Sequence, residues 1–262
     1  MKPHILFFDI DGTLLDEETG QISEKTKEAL QEARNRGHYT FLNTGRSFAE
    51  LDPAVVDVGF DGAVCGCGTY IDFRGETLLK QSIQGDKARQ IVNSIEECGI
   101  DAILEGEQHF YISRNTQNEK LLNIKEYFGE EVNKKCRYWE ETEPVFQKMS
   151  IWLPKDCDFT SFKKKYQKDF EFIKRDSTFY EVIPKGFSKA TGIEFLAEHL
   201  GVEQENTMAI GDSTNDLAML EYAKLSIAMG NSNEALKDKV AFVTKSVKEE
   251  GVAYALSHFG FV

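Results

Sequence analysis

No stretch of this 262-residue chain approaches the roughly 20 consecutive apolar residues that a membrane-crossing helix needs. Positive charge is also in deficit: 31 Lys and Arg stand against 44 Asp and Glu, a formal charge of −13. Such a surface repels nucleic-acid phosphates and anionic lipid, and no basic cluster reverses it locally, so neither a nucleic acid nor a membrane is an expected partner. Cysteine is scarce, odd in number and scattered, five in all, which argues against a disulfide framework. Cys65 and Cys67 lie close together, but no second Cys/His pair has zinc-ligand spacing, and no histidine has a partner at metal or catalytic spacing. The N-terminus runs from Met1-Lys2-Pro3-His4 straight into Ile5-Leu6-Phe7-Phe8 and then acidic residues, without the longer apolar stretch and cleavage site of a secretory signal. The expectation is a cytoplasmic protein with reduced thiols. Internal repeats and low-complexity linkers are likewise missing.

What is present is the composition of an ordinary globular protein, 41% hydrophobic and 29% charged, with enough chain for one large or two linked domains. At both ends strand-like and helix-like patterns alternate. His4–Asp9 is a nearly continuous apolar run, the mark of a strand buried on both faces. Ser23 can cap a helix that turns Ala29, Leu30 and Ala33 inward and ends at Gly37. Strands are expected at Tyr39–Asn43 and Ala63–Cys65, and a hairpin around Arg74-Gly75. The rhythm resumes with a helix over Ser188–Leu200, a strand at Thr207–Ile210, a helix from about Asp216 to Tyr222 and a strand at Leu225–Met229. Strand–helix–strand repetition predicts an α/β fold with a parallel sheet. Residues 82–184 differ in texture, mixing aromatic and charged residues, and predict an antiparallel sheet with helices on one face, inserted as a second domain. The expected organisation is core 1–81, insert 82–184, core 185–262.

The chemistry-bearing residues gather at strand ends, where open α/β sheets bind ligands. The first strand delivers Asp9-Ile10-Asp11-Gly12-Thr13. Two carboxylates two positions apart can divide labour, one attacking or binding metal while the other handles protons; the plain alternative is an acidic turn. An EF-hand is not supported, because the later Asp and Glu of that loop are missing. The second strand ends in Asn43-Thr44-Gly45-Arg46, whose hydroxyl and turn N–H groups can hold phosphate oxygens. Gly211-Asp212-Ser213-Thr214-Asn215-Asp216 follows a third strand and supplies more carboxylates beside a helix N-terminus, though these residues could simply cap that helix. Lys189 sits at a helix start where the helix dipole would prefer an anion, a placement that a phosphate ligand would explain.

In order, DIDGT, NTGR, Lys189 and GDSTND resemble the four motifs of the haloacid dehalogenase (HAD) superfamily. Pro184-Lys185-Gly186-Phe187-Ser188-Lys189-Ala190, Ala228-Met229-Gly230-Asn231 and Gly251-Val252-Ala253 resemble its Cof-type sugar-phosphatase branch, which carries a type II (subclass B) cap. The resemblance is dense at both ends of the chain and covers the insert by position only. Two positions depart from the branch: Cys67-Gly68 stands where Asn-Gly is frequent, and Asn43 where a small residue is common. The resemblance implies a Rossmann-like parallel-sheet core with an inserted α+β cap, and a Mg2+-dependent phosphatase of small phosphorylated metabolites, with sugar phosphates the leading class. Asp9 would be the nucleophile that forms an aspartyl-phosphate. Asp11 would protonate the leaving alkoxide and later deprotonate water. Asp9 and Asp212 by side chain and Asp11 by its carbonyl would hold Mg2+. Ile10 through its N–H, Thr44, Gly45, Lys189 and Asn215 would hold the phosphoryl oxygens, with Asp216 and Arg46 in support. The insert would close over the site from linkers near 81–84 and 184–187, with His109, Tyr111, Arg114, Lys148 and Trp152 as unassigned candidates for leaving-group contacts. The alternatives kept open are a sugar-phosphate phosphomutase and a phosphometabolite-binding regulator without turnover. Oligomeric partners are not legible.

Overall fold

Ile5–Phe8 has no exposed residue, because it lies at the centre of a sheet and is covered on both faces. A computed structural model describes residues 2–262, which divide into two compact units. The first unit joins Met1–Gly45, Pro53–Leu78 and Ser188–Val262. Its sheet has eight strands in the spatial order Phe242–Val243, Leu225–Ala228, Thr207–Gly211, Ile5–Phe8, Tyr39–Asn43, Gly62–Cys65, Tyr70–Phe73, Glu76–Lys80. The first six run parallel, and Tyr70–Phe73 turns back antiparallel on Gly62–Cys65. This is the α/β parallel-sheet core expected from the sequence.

Register decides where the chemistry falls. Phe8 is level with Leu42 on one side and Ile210 on the other, so the next residues, Asp9, Asn43 and Gly211, come level with one another at the same end of the sheet. The Asp9 N–H still donates to the Ile210 carbonyl (3.0 Å), which ties the two motif-bearing strand ends to each other. The helices are placed by the expected local signals. Ser23 accepts the Thr26 N–H at the start of Glu24–Asn35, which buries Thr26, Ala29, Leu30 and Ala33. Ser188 and Thr191 bond reciprocally at the start of Lys189–Leu200, and Gly201 ends that helix in the left-handed region. Arg74 (φ +52°) and Gly75 (φ +83°) form the hairpin turn with two positive φ values that a two-residue type I′ connection requires.

The turn after Gly62–Cys65 carries three consecutive residues at positive φ: Gly66 (+57°), Cys67 (+55°) and Gly68 (+90°). A Cβ on Gly68 would fall 2.4 Å from the Ser188 carbonyl, so glycine lets this turn press against the start of the Lys189–Leu200 helix. Cys67 is held in the left-handed region, unlike Cys65, whose φ is −113°. A β-branched side chain is strongly disfavoured at positive φ. In thermal melts, Cys67→Val is expected to lose more stability than Cys65→Val on the extended strand, because the β-branch adds strain to a positive φ that Cys67 already bears. Equal losses would show that backbone conformation does not set the difference.

The second unit comprises Arg46–Asp52 and Leu79–Phe187. Its six-stranded sheet has the order Phe170–Lys174, Phe179–Pro184, Lys148–Trp152, Asp101–Glu105, Phe110–Ile112, Cys136–Tyr138. It is antiparallel except for the last pair, which is parallel. Side-chain alternation separates its faces. Ala102, Leu104, Tyr111, Met149, Ile151 and Val182 pack with Ala88, Ile91 and Ile95 of Gly85–Glu97 and with Phe162 and Tyr166 of Phe159–Tyr166. Ile103, Phe110 and Ile112 face the other way and pack with Leu121 and Val132, which corrects the expectation of helices on one face only. That expectation failed because the alternating strands carry apolar residues on both sides at one end of the sheet.

The same second face carries charge. Buried Lys148 pairs with Glu105 (2.9 Å) and Glu181 (3.5 Å), and Glu181 also accepts from Arg175 Nε (2.7 Å). Burial, then the nearby Glu50 carboxylate, pushes Glu105 well above the usual carboxylate range, against the pull of Lys148.

Candidate active site

Three carboxylates and one amine converge in the first unit. Lys189, buried at the first position of its helix, donates from Nζ to Asp9 Oδ1 and to Asp216 Oδ1, both at 2.6 Å. Asp216 is bonded through both oxygens: its Oδ2 accepts the Asp212 and Ser213 N–H groups, each at 3.0 Å. One buried carboxylate therefore shapes the turn that presents Asp212 and also fixes the lysine. Gly211 makes room for it, since a Cβ there would lie 2.5 Å from the Asp216 carboxyl carbon. One carboxylate oxygen each from Asp9, Asp212 and Asp216 lie within 4.8 Å of one another. Gly12, at φ +73°, completes the cradle, for a Cβ on it would fall 2.5 Å from Asp212 Oδ2.

The electrostatics are unbalanced toward negative charge. Burial, then Asp216, raises Asp9 well above the usual carboxylate range, with Lys189 pulling the other way. Burial, then Asp216 and Glu17, pushes Asp212 up to about 7. Burial alone would lower Lys189, but Asp216 and Asp9 outweigh it and hold the amine protonated. One fixed cation faces several carboxylates, and Asp11 adds its own repulsion to both Asp9 and Asp212.

The other residues singled out from the sequence fall as follows. Ile10 is buried, and its carbonyl accepts the N–H groups of Thr13, Leu14 and Leu15 (3.3, 3.0 and 2.8 Å), which folds the loop after Asp9 back on itself. Buried Thr44 donates its N–H to the Val64 carbonyl (2.9 Å) and accepts from Cys67 N–H (3.1 Å). Gly45 follows, half-buried, at the end of that segment of the first unit. Asn215 accepts from Ser213 Oγ. Among the described residues, the carboxylates grouped closely enough to hold a metal are Asp9, Asp212 and Asp216; the resemblance implies Asp11 as a ligand through its backbone carbonyl.

Arg46, expected to contribute from the core, groups with the second unit. Its Nη1 reaches the Glu50 carbonyl (3.4 Å), and its segment is fastened there by Ala49 N–H to the Gly106 carbonyl (3.3 Å) and Lys135 Nζ to the Ala49 carbonyl (2.9 Å). Among the insert candidates, Tyr111 is core packing and Trp152 stacks on Phe179 at 4.7 Å. Lys148 belongs to the buried ion network, while Arg114 lies exposed over the Tyr138 ring at 4.4 Å. The ring of His109 lies 6.2 Å from that of Tyr111, and burial, then Arg137, lowers its pKa.

Two asparagines had no role assigned from the sequence. Asn231 Nδ2 donates to the Gly12 carbonyl (2.8 Å) while its Oδ1 accepts Val247 N–H (2.9 Å), tying the loop after Asp9 to a C-terminal loop. Its sequence signal is its place just after a strand end, in the stretch Ala228-Met229-Gly230-Asn231. The second, Asn43, donates from Nδ2 to the Lys189 carbonyl (2.9 Å).

A sequence profile of the haloacid dehalogenase-like hydrolases matches residues 6–256. The chain belongs to that family. This HAD-like hydrolase is 27% identical over 275 residues to the 5-amino-6-(5-phospho-D-ribitylamino)uracil phosphatase YitU of Bacillus subtilis, covering 98% of each chain. Among solved structures it resembles a protein of Geobacillus kaustophilus HTA426 with a TM-score of 0.85 and 28% identity, covering 100% of both chains. It also resembles the HAD subclass IIB sugar phosphatase BT4131, with a TM-score of 0.79 and 27% identity over 99% of this chain and 100% of that one. The resemblance carried by the four sequence motifs is thus borne out. No helix among the described residues is long and apolar enough to cross a membrane.

Proposed function

We propose that this HAD-like hydrolase is a Mg2+-dependent phosphatase that cleaves small phosphorylated metabolites, sugar phosphates foremost, through an aspartyl-phosphate on Asp9. The observation that carries the reading is the buried Asp9–Lys189–Asp216 constellation, with both Lys189 contacts at 2.6 Å, at the ligand-binding edge of a parallel sheet. A simple acidic turn has no reason to bury a lysine between two such carboxylates.

The donor set fits Mg2+. Hard carboxylate oxygens lie close together around a Gly12 cradle, and Asp212 is raised to about 7 by burial first and then by the charges of Asp216 and Glu17; hard oxygen ligands are what this cation selects. Asp9 and Asp212 would hold it by side chain and Asp11 by its carbonyl, since Asp216 is already engaged through both oxygens. Bound there, Mg2+ supplies charge neutralisation and polarises the phosphoryl group.

The chain's own residues carry the steps. Asp9, already held by Lys189, forms a bond from its carboxylate oxygen to phosphorus as the ester P–O bond breaks. Asp11 gives its proton to the departing alkoxide. In the second half it takes the proton of the attacking water, whose oxygen displaces Asp9 from phosphorus and regenerates the free carboxylate. Lys189, with Ile10 N–H, Thr44, Gly45 and Asn215, would neutralise and orient the phosphoryl oxygens. Asp216 holds Lys189 in place. The inserted segment, 82–184, is read as the cap that selects the leaving group.

Phosphate release from a panel of sugar phosphates, nucleotides and p-nitrophenyl phosphate, with Mg2+ and with chelator, tests this. Turnover confined to the Mg2+ arm and greatest on sugar phosphates is the expected result. A folded protein that binds Mg2+ yet releases no phosphate from any compound would overturn it in favour of a mutase or a binding regulator.

A further inference from the structure

The end of the second strand carries a buried amide that the reaction above does not use. Asn43 is fully buried and paired in register with Val64. Its Nδ2 donates to the Lys189 backbone carbonyl at 2.9 Å, joining residues 146 apart in sequence. A carbonyl can only accept, so this contact fixes which way the amide points. Asn43 Oδ1 is then left buried without a hydrogen-bond partner. An unsatisfied buried acceptor lowers stability, because the desolvation of its lone pairs goes uncompensated. An aliphatic residue of similar size would avoid that cost, and a local rule broken in this way marks a position kept for function.

The target of the amide is informative. Lys189 is the first residue of its helix, and its ammonium must meet Asp9 and Asp216 together at 2.6 Å. The helix is seated from three sides. Gly192 lies so close to Val64 that a Cβ would fall 2.3 Å from Val64 Cγ1, and Gly68 presses on the Ser188 carbonyl. Asn43 pins the Lys189 carbonyl itself. The first two contacts set how near the helix comes to the sheet; the directional hydrogen bond sets where its first residue sits along the strand end.

We propose that Asn43 is a positioning residue for Lys189: its carboxamide fixes the backbone of the phosphate-binding lysine so that the ammonium is aimed at Asp9 and Asp216 before substrate arrives. The inference rests on the phosphatase reading. Misplacing a reacting group by about 1 Å can cost on the order of 100-fold in rate, so loss of one anchoring bond is expected to lower kcat/KM by roughly 10- to 100-fold.

The test is a double-mutant cycle on p-nitrophenyl phosphate with Mg2+, using Asn43→Ala and Lys189→Ala singly and together. Asn43→Leu and Asn43→Ser accompany it, and every variant is melted to show that it folds. Lys189→Ala comes first: if it keeps full activity, the phosphatase mechanism itself fails, independently of Asn43. If Lys189→Ala is impaired, Asn43→Ala should lower activity in the wild-type background and have almost no further effect in the Lys189→Ala background. Asn43→Leu should be as impaired as Asn43→Ala while melting at or above the wild-type temperature, and Asn43→Ser, which keeps a donor, should recover part of the rate. Equal fold-losses in both backgrounds, or a rate that simply tracks melting temperature across the Asn43 series, would overturn the proposal and leave Asn43 a packing residue.

Discussion

Asp9→Asn is expected to abolish turnover, with kcat reduced by at least about 10^4-fold, while the protein remains folded. The substitution is nearly isosteric, and Asp216 still pairs with Lys189 through its Oδ1 at 2.6 Å. The buried charge on Lys189 therefore keeps a partner. What the amide cannot do is attack phosphorus and leave again as a stable carboxylate. Wild-type protein quenched in acid during turnover of a phosphate-labelled substrate should carry label on Asp9, and the variant should carry none. Turnover that persists in Asp9→Asn would sink the covalent mechanism, and with it the role given to Lys189 as the group that holds Asp9 before attack.

The second large effect concerns stability and its pH dependence without metal. Asp212 rises from an ordinary 3.8 to about 7, chiefly by burial and then by Asp216. A carboxyl raised in the folded state holds its proton where the unfolded chain has lost it. The folded protein is favoured by that proton at low pH, and the advantage is lost as pH rises from about 4 to about 7. Above that window the ionised, crowded Asp212 opposes folding. Asp212→Asn removes the burden, so metal-free variant should exceed metal-free wild type at pH 8 by about 1–2 kcal/mol. The full shift would give about 4 kcal/mol, and partial exposure of Asp212 reduces it through solvent screening. The gap should close below about pH 4.

Mg2+ is expected to reverse the order. At a concentration 100-fold above its dissociation constant, a bound cation would add about 2.7 kcal/mol to the wild type. Asp212→Asn, short of one ligand, should gain little. Melting both proteins from pH 5 to 8, with and without Mg2+, tests the two halves together. A stability gap that does not change with pH would remove the charge-crowding argument. Full stabilisation of the variant by Mg2+ would remove Asp212 from the ligand set.

The local elements were legible because each carries its own signal. Ser23 and Gly37 bracket a helix that buries Ala29, Leu30 and Ala33, and the apolar run before Asp9 is a central strand. Lys189 is legible because a cation at a helix start opposes the dipole, and it lies buried between Asp9 and Asp216. Arg46 was harder to place. It follows Gly45 directly, yet its segment is held by Gly106 and Lys135, and no local pattern encodes bonds to residues that distant. The two-faced packing of the insert was missed for a related reason. Alternation along one strand shows that its two sides differ but not that helices cover both.

Sequence by itself determined the order of strands and helices, the motif carboxylates and lysine, and the family, because these depend on residue type and short-range spacing. Only the tertiary structure decided that Asp216 would bind Lys189 with one oxygen and the Asp212 turn with the other, and that Asn231 would tether the loop after Asp9. It alone turned Asn43, a departure from the pattern, into a clamp on Lys189. Those relations join residues brought together by parallel register and burial, where a hydrogen bond gains strength from the loss of water and where no spacing along the chain foretells the partner.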